Sequence, residues 1–270
     1  MQTLFFISDG TGITAETLGN TLLTQFPNIS FKTIRFPFVN TQEKVDQAIE
    51  RINRIARSEG PSPLIFSTLT NPLLRERLSA CQGEVIDFFA TFTVPIERIL
   101  GVKSTPVTGQ SHGIGNPNTY SDRIDAVQYT LQHDDGSAPR DYSQADLILT
   151  GISRTGKTPT CLYLALHFGI KAANYPLTDE NFGTAMLPDS LSKEHSKLFG
   201  LTISPERLYQ IRQERRPNSA YAAMERVRKE LRTAENIFRH AGIPYLNITN
   251  MSIEEIAASI MQKISILRKI

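Results

Sequence analysis

Eight consecutive residues, Gly151-Ile152-Ser153-Arg154-Thr155-Gly156-Lys157-Thr158, carry the strongest chemical signal in the chain. They match the phosphate-loop pattern G-x-x-x-x-G-K-[ST] at every fixed position. Average amino-acid usage yields such a match by chance in roughly one chain per hundred of this length. Glycines let backbone N–H groups turn inward around phosphate oxygens, and the N-terminus of a following helix adds partial positive charge. Lys157 is placed to reach the terminal phosphate of a nucleotide, and Thr158 to offer its hydroxyl to Mg²⁺. Arg154 adds a fixed cation that can stabilise charge during phosphoryl transfer. The alternative is a tight strand-to-helix turn with an exposed lysine.

Context favours the phosphate loop. Ala145-Asp146-Leu147-Ile148-Leu149-Thr150 reads as a buried strand. Pro159 to Phe168 carries apolar residues at helical spacing, and Gly169 stops it. Pro159 is tolerable because first-turn positions lack an intrahelical partner for their N–H.

Further chemistry must come from carboxylates. His133-Asp134-Asp135-Gly136 offers an imidazole and two acids, which suits Mg²⁺ binding and acceptance of a hydroxyl proton. It equally suits a helix end followed by a solvated turn. Leu201-Thr202-Ile203 runs into Ser204, and Tyr245-Leu246-Asn247-Ile248 into Thr249, so neither strand ends in a Walker-B carboxylate. Asp134, Asp135 and Asp9 are then the candidates for the metal. A second glycine turn, Ser8-Asp9-Gly10-Thr11-Gly12, also joins a strand to a helix. It can bind phosphate at the helix N-terminus or be a plain turn capped by Asp9 or Thr11. His112 and Asn116, near Lys103, lie in a loop and are polar candidates for function. His167, His195 and His240 have no metal-ligand spacing. Arg212, Arg215 and Arg216 form the densest group in a basic stretch, which reads as a solvated helix or a surface for an acidic or phosphorylated protein.

The elements that must position these residues alternate between strand and helix. Thr3–Ser8, Phe31–Phe36, Leu64–Ser67 and Glu84–Ile86 read as strands. Helices are expected at Ile13–Gln25, from a cap at Asn40 to Arg57, and from Asn71-Pro72 to about Ala80. Such alternation implies an α/β fold with parallel pairing. From about Gly101 to Tyr120 the pattern lapses into a long loop, and Ser121–Gln132 is helical. In the second half, strands are expected at Lys171–Asn174, Leu201–Ile203 and Tyr245–Ile248. Helices are expected from Ser204-Pro205, over Ala220–Arg239, and from the capping box Ser252-Ile253-Glu254-Glu255. The division falls near residue 104, giving an N-terminal α/β domain, 1–104, and a phosphate-loop domain of the NTPase type, 105–270.

Composition sets outer bounds. The chain has 270 residues and a net charge of +2, without the basic excess of a nucleic-acid binder. Cys81 and Cys161 are too few for a disulfide framework and read as reduced core residues of a cytoplasmic protein. The chain begins with a strand-like run rather than a basic leader, and no apolar run reaches the length of a membrane span.

Taken together, these segments resemble the family of bifunctional regulators of phosphoenolpyruvate synthase and of pyruvate, phosphate dikinase. The likeness runs nearly end to end. It rests on Ile7-Ser8-Asp9-Gly10-Thr11 with Ile13-Thr14-Ala15-Glu16, on Thr130-Leu131 leading into His133-Asp134-Asp135-Gly136, and on Gly151 to Thr158 with Pro159-Thr160. It continues through Ala172-Ala173-Asn174-Tyr175-Pro176, Phe199 to Ile203, Ile211 to Arg216, and Ser252 to Ala257. Dikinase-type members read Ser-Asp-Ser-x-Gly-Glu-Thr-Ala at the first loop; Ser8-Asp9-Gly10-Thr11-Gly12-Ile13-Thr14-Ala15 departs from this and favours the synthase branch.

The resemblance implies a Ser/Thr kinase that takes its phosphoryl group from ADP and inactivates its target enzyme at a Thr. It also implies a phosphorylase that removes that phosphate with inorganic phosphate and releases pyrophosphate. Nucleotide would sit on Gly151 to Thr158, with Mg²⁺ at Thr158. Lys157, Arg154, Asp134, Asp135 and His112 are the candidate catalytic residues. Phosphoenolpyruvate synthase is the expected protein substrate, with pyruvate, phosphate dikinase or a small-molecule kinase reaction as alternatives, and a homodimer is expected. No H-R-D or D-F-G signature of eukaryotic-type kinases is present.

Overall fold

Strand β1 (Gln2–Ser8) is buried on both faces, and this sets the layering of the first half. In the computed structural model, which describes residues 1–58, 60–105, 117–134, 141–184, 187 and 189–264, the chain forms two units, Met1–Ile114 and Gly115–Ile270. The first unit continues with α1 (Ile13–Leu23), β2 (Phe31–Phe36), α2 (Gln42–Ala56), β3 (Leu64–Thr68), α3 (Pro72–Leu78), β4 (Glu84–Asp87) and α4 (Phe88–Leu100). All pairings are parallel, in the order β2-β1-β3-β4. Successive β1 side chains point to opposite faces. Phe5 and Ile7 pack with Val45, Ala48, Ile52, Leu74 and Leu78 of α2 and α3. Leu4 and Phe6 pack with Ala15, Phe66 and Phe88 on the other side.

The second unit contains α5 (Pro117–Gln132), β5 (Leu147–Gly151), α6 (Lys157–Phe168), β6 (Ala172–Pro176), α7 (Asp179–Thr184) and α8 (Asp189–Ser192). It continues with β7 (Leu198–Thr202), α9 (Pro205–Arg215), α10 (Met224–Ala241), β8 (Tyr245–Asn247) and α11 (Ile253–Ile264). Its sheet is again wholly parallel, in the order β6-β5-β7-β8, the same topology as in the first unit. β5 is buried at every residue, as a strand covered on both faces must be. Both units reverse direction at their first strand, so each has a switch point beyond the carboxyl end of that strand, where α/β sheets bind ligands. The expected α/β class is therefore the observed one.

Several boundaries shift for identifiable reasons. The cap of α2 is Thr41, whose hydroxyl accepts from the Lys44 N–H, not Asn40, which accepts from the Lys44 ammonium instead. Residues 88–100 show a weak helical signal because Pro95 and β-branched residues interrupt it, yet Asp87 caps α4 by accepting from the Ala90 N–H. Helix α5 begins at Pro117, inside the expected loop, while 106–116 lie outside the described residues. The stretch expected as one helix over 220–239 divides into a short 3₁₀ turn at Ala220–Ala222 and α10. Elsewhere the local signals hold. Asn71 accepts from the Leu73 N–H, Gly169 ends α6 in the left-handed region, and Ser252 and Glu255 form a reciprocal capping box.

Gly19 of α1 lies against the first sheet, where an added Cβ would stand 2.6 Å from the Phe6 ring and 2.9 Å from the Phe66 ring. A helical Gly→Ala change ordinarily stabilises by up to about 1 kcal/mol. Gly19→Ala should instead destabilise by about 1–3 kcal/mol through overpacking. Urea unfolding measures this, and an unchanged or raised midpoint would show that the rings yield.

Candidate functional site

The phosphate-loop sequence folds as a strand, a turn and a helix. β5 ends at Gly151, the turn runs through Gly156, and α6 starts at Lys157. Gly151 has φ 153°, and a Cβ there would stand 2.5 Å from the Leu201 carbonyl oxygen on β7. Only glycine fits between two neighbouring strand ends at this distance. Gly156 caps α6 in left-handed backbone at φ 71°, and Arg154 is also left-handed at φ 77°. Alternation of this kind makes successive backbone N–H groups converge on one point, the geometry of an anion nest. α6 adds its N-terminal dipole.

The loop's interior is ordered by its own side chains. The Ile152 carbonyl accepts from both Thr155 Oγ1, at 2.9 Å, and Lys157 Nζ, at 2.8 Å. Thr155 is fully buried and Lys157 only 5% exposed, so the ammonium is held inside the loop rather than in solvent. Thr160 Oγ1 donates to the Gly156 carbonyl at 2.8 Å. The main chain following β6 closes the other side, with the Leu177 N–H donating to the Gly151 carbonyl at 3.0 Å.

Asp134 supplies the carboxylate that the strand ends lack. Its Oδ1 accepts from Thr158 Oγ1 at 2.8 Å and from Asn174 Nδ2 at 2.6 Å. Asn174 Nδ2 also lies 3.1 Å from Thr158 Oγ1, so the three side chains form one cluster. Their positions follow from the backbone. Asn174 sits on β6 beside β5, and its N–H donates to the His133 carbonyl at 3.0 Å, which draws the end of α5 to the sheet. His133 itself is structural. Its Nδ1 lies 2.8 Å from the Tyr129 carbonyl oxygen, and its ring stacks on Tyr129 at 3.9 Å. Burial pushes the Tyr129 phenol up to about 12. Among the described residues, no group of three or more His, Cys, Asp or Glu could hold a metal. Adjacent carboxylate and hydroxyl oxygens nonetheless suit Mg²⁺, which binds through one or two protein ligands, phosphates and water.

The other sequence candidates divide. Asp135 and His112 lie outside the described residues, as does Asn116. Asp9 reaches beyond its own turn. Its Oδ2 accepts from the Thr70 N–H at 2.8 Å and from Thr70 Oγ1 at 2.5 Å, tying the turn after β1 to the one after β3. Thr11 does not cap α1, since the cap position is Gly12 with no side-chain bond. Cys81 and Cys161 are both buried thiols. Arg212 is neither solvated nor part of an exposed basic face; it is fully buried. Asn174 and Tyr221, whose hydroxyl lies 2.9 Å from Ser153 Oγ, join the site without any spacing signal to announce them. Only contacts between segments far apart in sequence reveal them.

Two substitutions test this geometry. Tyr129 Oη is buried with no hydrogen-bond partner among the described residues, so Tyr129→Phe should keep the His133 stack and leave stability unchanged or raised by about 1 kcal/mol in thermal unfolding. A clear loss would show that the hydroxyl is satisfied. Gly151→Ala must drive a methyl group into the Leu201 carbonyl and should abolish phosphate or nucleotide binding measured by calorimetry; retained affinity would mean that the strand ends can separate.

Comparisons with known proteins bear on the same residues. A family model described as kinase/pyrophosphorylase matches residues 4–261. A protein of Pseudomonas aeruginosa (strain LESB58) named "Putative phosphoenolpyruvate synthase regulatory protein" is 50% identical over 268 residues, covering 99% of this chain and 98% of its own. Proteins of the same name from Hahella chejuensis and Bordetella avium are 49% and 47% identical, over 100% and 99% of this chain and 99% and 97% of theirs. No helix among the described residues is long and apolar enough to cross a membrane. With a match that spans nearly every element of both units, the chain belongs to the kinase/pyrophosphorylase family.

Proposed function

We propose that the chain is a cytoplasmic regulator of phosphoenolpyruvate synthase that adds and removes one phosphoryl group on a Thr of that enzyme. The observation that carries this reading is the Thr158–Asp134–Asn174 cluster set against the phosphate loop. The cluster sets a hydroxyl and a carboxylate beside the loop that holds the buried Lys157 ammonium, which supports phosphate binding there. The names of the relatives supply the target.

In the kinase direction, the target Thr oxygen attacks the β-phosphorus of ADP. The bond to the bridging oxygen breaks, AMP leaves, and the Thr proton passes to a base. Such transfers depend on positioning and charge neutralisation more than on covalent chemistry. Lys157 exchanges the Ile152 carbonyl for a phosphate oxygen, and Arg154 stabilises the transferring group. Asp134, already engaged by Thr158 and Asn174, serves the cation side with Thr158. That leaves the adjacent Asp135 to orient the target hydroxyl. Bound Mg²⁺ supplies neutralisation of phosphate charge. In the phosphorylase direction, an oxygen of inorganic phosphate attacks the phosphothreonine phosphorus. The Thr oxygen leaves with a proton, and pyrophosphate is released. The same cations hold the attacking phosphate.

The test is phosphate incorporation into purified phosphoenolpyruvate synthase, comparing ADP with ATP. Transfer from ADP should fall at least about 100-fold in Lys157→Ala and by a similar factor in Asp134→Asn, the size expected when one charge-stabilising group is lost. Transfer to pyruvate, phosphate dikinase instead would move the target. No transfer from either nucleotide, with ADP binding intact, would sink the kinase reading in favour of a small-molecule kinase or a nucleotide sensor.

A further inference from the structure

A guanidinium sealed from water needs acceptors in several directions, because an unpaired buried charge is among the costliest groups a fold can hold. Arg212, in the last turn of α9, is 0% exposed and has them at both terminal nitrogens, while its Nε has none among the described residues. Its Nη2 donates to Glu230 Oε2 on α10 at 2.7 Å and to the Ser153 carbonyl of the phosphate loop at 3.3 Å. Its Nη1 donates to the Tyr221 carbonyl at 3.1 Å, and the guanidinium lies over the Tyr221 ring at 4.2 Å from its centre. Glu230 is shared. Its Oε1 accepts from Arg226 Nε at 2.6 Å, and Arg226 reaches Asp179 on α7 at 2.9 Å. Buried Arg212 thus joins α9 and α10 to a single loop peptide, and exposed Arg226 extends the network to α7.

Ser153 is gripped twice, through its carbonyl by Arg212 and through Oγ by the Tyr221 hydroxyl at 2.9 Å. The next residue is Arg154, held in left-handed backbone although it is not glycine. A non-glycine residue stays in such a conformation only where its surroundings over-determine it. The anion nest depends on that conformation, since the loop's N–H groups converge only while Arg154 keeps it.

We infer that Arg212, acting with Tyr221, is a positioning residue that holds the Ser153–Arg154 peptide in the phosphate-binding shape before ligand arrives. It touches neither nucleotide nor target; it removes the ordering cost that a loose loop would incur on binding. The inference rests on the reading of this loop as the nucleotide site.

The test uses the full-length protein with Arg212→Lys and Tyr221→Phe. Lysine keeps a charge for Glu230 but loses the planar fork and the stack on Tyr221. Phenylalanine keeps the ring and loses only the bond to Ser153. Titration with ADP is read beside hydrogen exchange across residues 151–158 in the ligand-free protein. Arg212→Lys should weaken ADP binding about tenfold and raise the KM for ADP, with the KM for the target protein unchanged, and exchange in the loop should quicken. Tyr221→Phe should move the same readouts in the same direction by a smaller factor. A folded Arg212→Lys protein that binds ADP like wild type overturns the inference, whatever the exchange shows. Should Arg212→Lys fail to fold, Tyr221→Phe decides by the same criteria. If wild type binds no ADP, the nucleotide reading falls separately. Loop exchange alone then judges the positioning role, upheld if it quickens in the variants and overturned if it does not.

Discussion

The site depends on one close approach. Gly151 ends β5 so near the Leu201 carbonyl of β7 that no side chain fits between them. That contact brings the ends of two central strands together at the switch point of the sheet. The chain leaving β5 must turn sharply, and the turn carries the sequence Gly151 to Thr158. Parallel strands make this position available, because every strand in the unit delivers its carboxyl end to the same edge. Asn174 from β6 and the loop from β5 therefore meet without any long connection having to reach them.

The acidic partner of the loop arrives by an unusual route. A carboxylate at the end of the neighbouring strand is the common arrangement, but β7 ends in Thr202, which bonds Glu235 of α10. Asp134 comes instead from the end of α5, ahead of the loop in the chain. The backbone bond between Asn174 and His133 holds it there. The side chain of Asn174 then completes the work its backbone began, by bonding both Asp134 and Thr158. One residue on the edge strand β6 thus fixes the carboxylate's place and its orientation.

The two units share a strand order, and each places a glycine turn after its first strand. Their turns differ in what holds them. In the first, Asp9 is committed to Thr70, and no lysine follows. In the second, Lys157 donates to the Ile152 carbonyl, Thr158 to Asp134, and Arg212 to the Ser153 carbonyl from outside the turn. A common scaffold thus carries one turn tied down by a carboxylate and another that contains two cationic side chains.

Local features were legible in the sequence because they rest on short-range physics. The glycine loop, the buried run of β5, the caps at Asn71 and Ser252, and the glycine stop after α6 each follow from a few adjacent residues. The absence of a strand-end carboxylate was equally plain, and it narrowed the search to Asp134, Asp135 and Asp9. The structure then joined Asp134 to Thr158 and tied Asp9 to Thr70. What the sequence could not decide was any pairing that depends on distance through the fold. Arg212 looks like a member of a basic surface run, since Arg215 and Arg216 follow it at once. Yet helical geometry turns it inward while they stay exposed, and Glu230, eighteen residues on, receives it. Asn174 reads as an ordinary polar residue near a strand end until the sheet sets it beside Asp134. Residue types and spacing determined which chemistry the chain can perform. Only tertiary packing, through contacts between residues far apart in sequence, decided which side chains meet beside the loop.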